Sequence, residues 1–322
     1  MKILRKICAS RLILLFILCS ALVSLPQMKI ARASETIYIR ADGSVEGTDK
    51  IQRDGNVYSF TGNINDSIVV EMDDIVVEGA GYTLRGDGGV AGIRLENRRN
   101  VTIKNMQITH FGNGIELIGN GSQNNTIIGN NITDNGHETY GNGIWVAFGS
   151  SHNTISGNNI TNNWEGVFLY MASSNIISEN YITGNRWHGV WICAVNNSIV
   201  GNDIINNSIG VLVEIGSNIV YNNNFVNNTV QADIDEPVVS IWDGGYSSGG
   251  NYWSDYEDRY PNATEIDGSG IWNTPYVIDE NNQDNYPVIP EFPSWTPMLL
   301  ILIVLTVALT IYKRRLLKTP IQ

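Results

Sequence analysis

The sequence predicts an all-β solenoid, a single-stranded parallel β-helix with coils of about 22 residues. Three observations carry this. A Gly-led segment recurs at Gly114, Gly143, Gly166, Gly189 and Gly210, after a looser first copy at Gly92, with spacings of 22, 29, 23, 23 and 21 residues. Each copy holds three short β-branched runs separated by Gly, Ser and Asn, too short for helices. An Asn stands between the second and third runs of every full coil, at Asn130, Asn158, Asn180, Asn202 and Asn223.

Alternation assigns the faces of each strand. After the leading Gly, positions one and three are aliphatic, as in Ile115/Leu117, Ile144/Val146, Val167/Leu169, Val190/Ile192 and Val211/Val213. Successive side chains in a strand point to opposite faces, so these point inward. The second run adds Ile127, Ile155, Ile177, Ile199 and Val220, and the third adds Ile132, Ile160, Ile182, Ile204 and Phe225. One coil cannot bury its apolar edge alone, so coils stack and pair in parallel. The recurrent Asn stacks into a ladder at one bend, where an inward amide finds partners and Asn tolerates a left-handed backbone.

Taken in order, residues 1–33 read as a secretory signal. Lys2, Arg5, Lys6 and Arg11 precede the apolar run Leu12–Leu25, and Ala31-Arg32-Ala33 fits the cleavage site. Residues 34–67 fall out of register and are expected to cap the solenoid. Residues 68–241 form its coils, with an extra loop, Gly136–Asn142, overhanging the face of the first strands. Residues 242–289, rich in aromatic residues, Gly and Asp, are expected to close the other end and cover its strand edge. A linker at 290–295 leads to an uncharged run, 296–312, read as one C-terminal transmembrane helix, and to a basic tail, 313–322. Lys313, Arg314, Arg315 and Lys318 place that tail in the cytoplasm and the β-helix outside.

Charge and cysteine content narrow the function classes. Between the two terminal signals lie ten basic and 32 acidic residues, a net charge of −22. Nucleic acid is excluded as a partner, since its binding needs a basic footprint. Acidic polysaccharides are repelled unless cations bridge them. Cys193 stands alone after the signal, so no disulfide framework exists. Ten Asn-x-Ser/Thr sequons, from Asn65 to Asn262, make a secreted chain a candidate glycoprotein modified at some of them.

The repeat NTISGNNITNN at Asn153–Asn163 resembles the NosD-like right-handed β-helix proteins, within the wider group of carbohydrate-binding and sugar-hydrolase β-helix domains. The resemblance spans residues 37–289 and implies a right-handed coil. IYIRADGSVEG at Ile37–Gly47, GGNYWSDY at Gly249–Tyr256 and NTPYVIDENNQDNYP at Asn273–Pro287 look like the ends of archaeal surface members. Pro290-Glu291-Phe292-Pro293 before an apolar run resembles an archaeal sorting tail, which implies removal by a sortase-like enzyme. The repeat specifies fold strongly and function weakly, because one fold hosts many chemistries.

Candidate sites follow from positions that do not repeat. The outward position two after each Gly reads Arg94, Glu116, Trp145, Phe168, Trp191, Leu212. Position four adds Tyr170, and the preceding bends add Trp164 and Trp187. Coils rise by about 4.8 Å, so Trp145, Phe168 and Trp191 form a column on one face. Exposed aromatic faces suit the C–H surfaces of sugar rings, which makes these six residues the candidate glycan site; the bland alternative is a covered aromatic ladder. Glu116, Glu138 and Glu165 are the only catalytic candidates, with His137 and His188 near, and paired carboxylates are what glycoside hydrolysis needs. The resemblance implies a Lys or Arg base and Ca²⁺ for uronate lyases, or Asp clusters for polygalacturonases. The central coils carry only Arg186 and no such cluster.

The family name points to copper, but His137, Met171, His188 and Cys193 lack metal-ligand spacing. No cofactor is called for unless the acidic cap recruits calcium through Asp255, Asp258, Asp267 or Asp279. Related caps run DGDGIGDTPY, whereas Asp267–Tyr276 is DGSGIWNTPY, which favours a hydrogen-bonded turn. The resulting expectation is a membrane-anchored surface β-helix that binds or displays carbohydrate without catalysis. A polysaccharide-degrading enzyme, and a structural envelope or copper-related accessory protein, are the alternatives.

Overall fold

The computed structural model describes residues 36–289 except Val90, residues 137–140 and Glu236. The expected signal, linker, transmembrane run and basic tail lie outside the described residues. Among those described, no helix is long and apolar enough to cross a membrane.

The chain winds as an all-β, right-handed parallel solenoid of about eight turns. Its strands gather into three long sheets, one per face of the coil. Sheet A has ten strands and holds the segments that follow each Gly, including Asn142–Ala147, Glu165–Tyr170 and His188–Cys193. Sheet B has nine strands, such as Thr154–Ser156, and sheet C has eight, such as Asn159–Thr161. The aliphatic columns assigned inward are buried in all three sheets. Registers run residue for residue through the stack, for example Ile127↔Ile155 and Ile132↔Ile160.

Parallel pairing begins earlier than expected. Ile37–Ile39, in the segment read as a cap, already pairs in parallel with Ile68–Val70. Within the same segment, antiparallel additions cover the sheet ends, Val45–Glu46 on sheet A and Ile51–Asp54 on sheet B.

Each bend carries its own ladder, so there are three where one was expected. Asn125, Asn153, Asn175, Asn197 and Asn218 form one chain of bonds, and Asn130, Asn158, Asn180, Asn202 and Asn223 a second. Asn135, Asn163, Asn185, Asn207 and Asn228 form the third. In each chain the side-chain oxygen accepts both the backbone N–H and the amide of the Asn one coil earlier. Asn158 Oδ1, for example, accepts from Asn130 N at 2.9 Å and Asn130 Nδ2 at 3.1 Å. The left-handed backbone expected at the ladder Asn belongs to the residue before it: Gly157 has φ +61°, Asn162 φ +57° and Asn196 φ +60°. A left-handed residue turns the chain and presents the next amide inward, and Gly and Asn bear that conformation at least cost.

The C-terminal segment continues both the ladders and the core. Asn223 donates to Asn251, whose backbone N–H donates to Asp284. Trp253 stacks on Phe225 at 4.4 Å and Tyr276 on Trp253 at 4.0 Å, plugging the sheet C column with rings. Asp284 closes the middle ladder by accepting N–H bonds from Asn251, Trp253 Nε1 and Tyr286. Burial pushes its carboxyl up to about 7, and these three donors pull against that shift.

Candidate carbohydrate-binding face

Sheet A positions the aromatic residues as its register dictates. Arg94, Glu116, Trp145, Phe168, Trp191 and Leu212 are Cα partners in sequence, and Asp233 extends the row. Each is the outward residue between two buried aliphatics. Trp164 and Trp187 lie one residue before their strands, so they occupy the leading bend of the same face, and Trp187 is half exposed.

The column is a partial stack rather than a flat platform. Phe168 and Trp191 face each other at 4.2 Å and 18°, so those two ring faces cover one another. Trp145 meets Phe148 edge-on at 5.7 Å, and Phe148 meets Tyr170 in the same way at 5.6 Å. Trp145 and Phe168 line a shallow depression of about 240 Å³ together with Gly112, Asn113, Gly141 and Asn142. Phe148, Tyr170 and Met171 add an exposed apolar ridge beside it, with Phe148 and Met171 both at left-handed turns. Phe148, Asn113 and Asn142 were not singled out from the sequence. Their signal was positional: Asn113 and Asn142 precede the repeat Gly, as Glu165 and His188 do.

Polar groups under this face are tied to each other. Asn142 donates its backbone N–H and its amide to Asn113 Oδ1 at 2.9 and 2.8 Å. Asn113 donates to Glu116 Oε1 at 2.7 Å, and Arg94 reaches Glu116 Oε2 at 3.3 Å. Farther along, Glu165 Oε2 accepts the His188 backbone N–H and meets its Nδ1, each at 2.8 Å. His188 in turn leans against Trp191 at 5.1 Å. Of the catalytic candidates, Glu116 and Glu165 therefore sit on the expected face, but both are buried and bonded rather than free in a cleft. Glu138 and His137 lie outside the described residues.

The calcium candidates are not gathered. Asp255 accepts from the Tyr276 hydroxyl and pairs with Arg259, while Asp279 accepts the backbone N–H groups of Asn281 and Asn282. Asp267 and Asp258 join neither set. Among the described residues no group of three His, Cys, Asp or Glu could hold a metal ion.

The family model for NosD, described as a periplasmic copper-binding protein, matches residues 33–258. No curated protein matches the chain. Among solved structures, the periplasmic alginate epimerase AlgG is 22% identical with a TM-score of 0.49, covering 54% of this chain and 45% of that one. A double mutant of the same epimerase gives 22% identity and a TM-score of 0.49, covering 58% and 48%. The chain spans about half the length of these structures, and at this level the likeness supports no statement about activity.

Copper was tested against the donors present. His188 Nδ1 is engaged by Glu165, and the Cys193 thiol donates to Glu214 at 2.7 Å. Burial, then Glu214, pushes that thiol far above its usual range, away from the thiolate a soft metal needs. Met171 lies exposed on the ridge. The described residues therefore do not fit a copper centre, although the match over residues 33–258 and the three-sheet solenoid agree: the chain belongs to the NosD family.

Proposed function

We propose that this protein is a non-catalytic, carbohydrate-binding β-helix that works outside the cytoplasm, held at the membrane by residues 296–312. The periplasmic description of its family and the basic–apolar start of the chain support the location. The binding reading rests on one observation, the in-register row of Trp145, Phe168 and Trp191 beside a shallow depression floored by Asn113 and Asn142. Rings and amides together suit the apolar and hydroxyl surfaces of a sugar. Successive rings of an extended glycan repeat at a distance similar to the rise between coils. The buried, paired state of Glu116 and Glu165 argues against hydrolysis, which needs one carboxyl free to protonate the leaving oxygen.

The test is to incubate the purified full-length protein in detergent micelles with a panel of polysaccharides, scoring binding and chain cleavage. Binding without new chain ends is expected. Trp145→Ala and Phe168→Ala should each weaken it roughly tenfold, the equivalent of about 1.4 kcal/mol. New reducing or unsaturated ends would overturn the non-catalytic reading, and binding to no glycan would leave a structural envelope protein.

A further inference from the structure

The aromatic row is set in a strongly one-signed field. Between Lys104 and Arg259 the only Lys or Arg is Arg186, against 14 Asp and Glu. Glu116 is in register with Trp145, Glu165 is the register partner of the depression's Asn142 on the next strand, and Asp233 ends the row beyond Leu212. Glu214 flanks the row at Cys193. On the cationic side, Arg94 is shared between Glu96 at 3.0 Å and Glu116 at 3.3 Å. Arg186 lies over the Trp164 ring, 5.4 Å from its centroid. Carboxylates beside low-dielectric rings carry their field into the depression with less loss to water than in open solvent.

We propose that the glycan taken by this face is uncharged, a chain of neutral hexoses or N-acetylated amino sugars, and that uronate chains are rejected by charge. This rests on the carbohydrate reading above. A uronate carboxylate seated in the depression lined by Trp145 and Phe168 gives up hydration beside Glu116, whose partner Arg94 is already shared with Glu96, and meets no cation among the described lining residues, which is costly for a buried charge. A hydroxyl or acetamido group there meets, among the described residues, the side chains of Asn113 and Asn142, whose amide chemistry suits both.

The experiment compares matched pairs of one backbone with and without charge, using the full-length protein with a chelator present so that no divalent cation bridges the acids. Suitable pairs are methyl-esterified against de-esterified polygalacturonate, and cellulose oligomers against their C6-carboxylated forms, with N-acetylated chitin oligomers as a further neutral probe. In every pair that binds, the neutral member should bind at least roughly tenfold more tightly at low ionic strength, the gap closing as salt approaches about 1 M. The double variant Glu214→Gln/Asp233→Asn should narrow the low-salt gap about threefold. A uronate member that binds as tightly as its neutral partner, or a gap unmoved by salt and by the double variant, overturns the proposal while the carbohydrate reading stands. Failure of every glycan, neutral or charged, sinks that reading and this one with it.

Discussion

Asn158→Ala and Asn159→Ala change neighbouring residues of the same type, yet their costs should differ severalfold. Asn158 is 1% exposed and sits mid-ladder. Its Oδ1 accepts from Asn130 N and Nδ2, and its Nδ2 donates to Ile127 O at 2.9 Å, Ser156 O at 3.0 Å and Asn180 Oδ1 at 2.9 Å. Truncation strands the backbone N–H of Asn130, itself 2% exposed, where water cannot replace the bond. A buried orphan donor costs about 1–3 kcal/mol and each further bond given up about 1 kcal/mol, so the substitution should cost about 3–5 kcal/mol. Asn159 is exposed and bonds Asn131 on the outer surface of sheet C, so its loss should stay within about 0.5 kcal/mol. Urea denaturation followed by far-UV circular dichroism reads both. Equal midpoints for the two variants would mean that the ladder Asn is a habit of composition and not a strut.

Three further outcomes are expected. A Cβ at Gly143 would lie 2.7 Å from Gly166 O and 2.8 Å from Ile160 Cγ2, so Gly143→Ala should lose about 2–3 kcal/mol in the same assay; a neutral result would show that the coils can slide apart there. Asp284 keeps its proton in the fold up to about pH 7 while the unfolded chain releases it near 3.8, so its contribution falls as pH rises between those values, by about 1.4 kcal/mol per unit. Urea midpoints between pH 4.5 and 6.5 should therefore decline more steeply with pH in the wild type than in Asp284→Asn, and parallel slopes would refute this. Iodoacetamide should leave Cys193 unmodified at pH 8 until urea unfolds the chain, since burial and Glu214 hold the thiol neutral; rapid labelling of the folded protein would contradict it.

How much was legible follows from what repeats. The aliphatic columns were readable to the residue, because a period-2 strand inside a repeat leaves one inward register for Ile144, Val146, Ile155 and Ile160. The middle ladder was readable for the same reason. The other two were equally written in the sequence, as Asn every five residues in Asn153, Asn158 and Asn163, and in each later coil. Side-chain pairing on the outer face was not legible. Register placed Phe168 beside both Trp145 and Trp191, yet only Trp191 stacks on it, and Trp145 turns edge-on to Phe148. Nor could spacing show that Glu165 would meet His188 23 residues on, since the inward or outward lean of a residue beside Gly depends on packing.

The division between the two kinds of position bears on the function itself. Three ladders and three aliphatic columns hold every coil to the next, and in such a stack stability is close to a sum of neighbour terms. Outward residues of sheet A add little to that sum, as Val69, Arg94 and Leu212 occupy the same row as the aromatics without breaking the register. The fold therefore does not require rings at 145, 168 and 191. The Phe168–Trp191 stack does return some packing energy, about 0.5–1.5 kcal/mol for such a pair. It does not account for Trp145, which makes no such face-to-face stack, nor for Phe148, Tyr170 and Met171, which stay exposed. An exposed apolar ridge on a segment whose net charge between the two terminal signals is −22 runs against its own solubility, and exposed apolar surface of this kind often marks a contact surface. What the solenoid does not need for standing is what the proposed glycan contact would use.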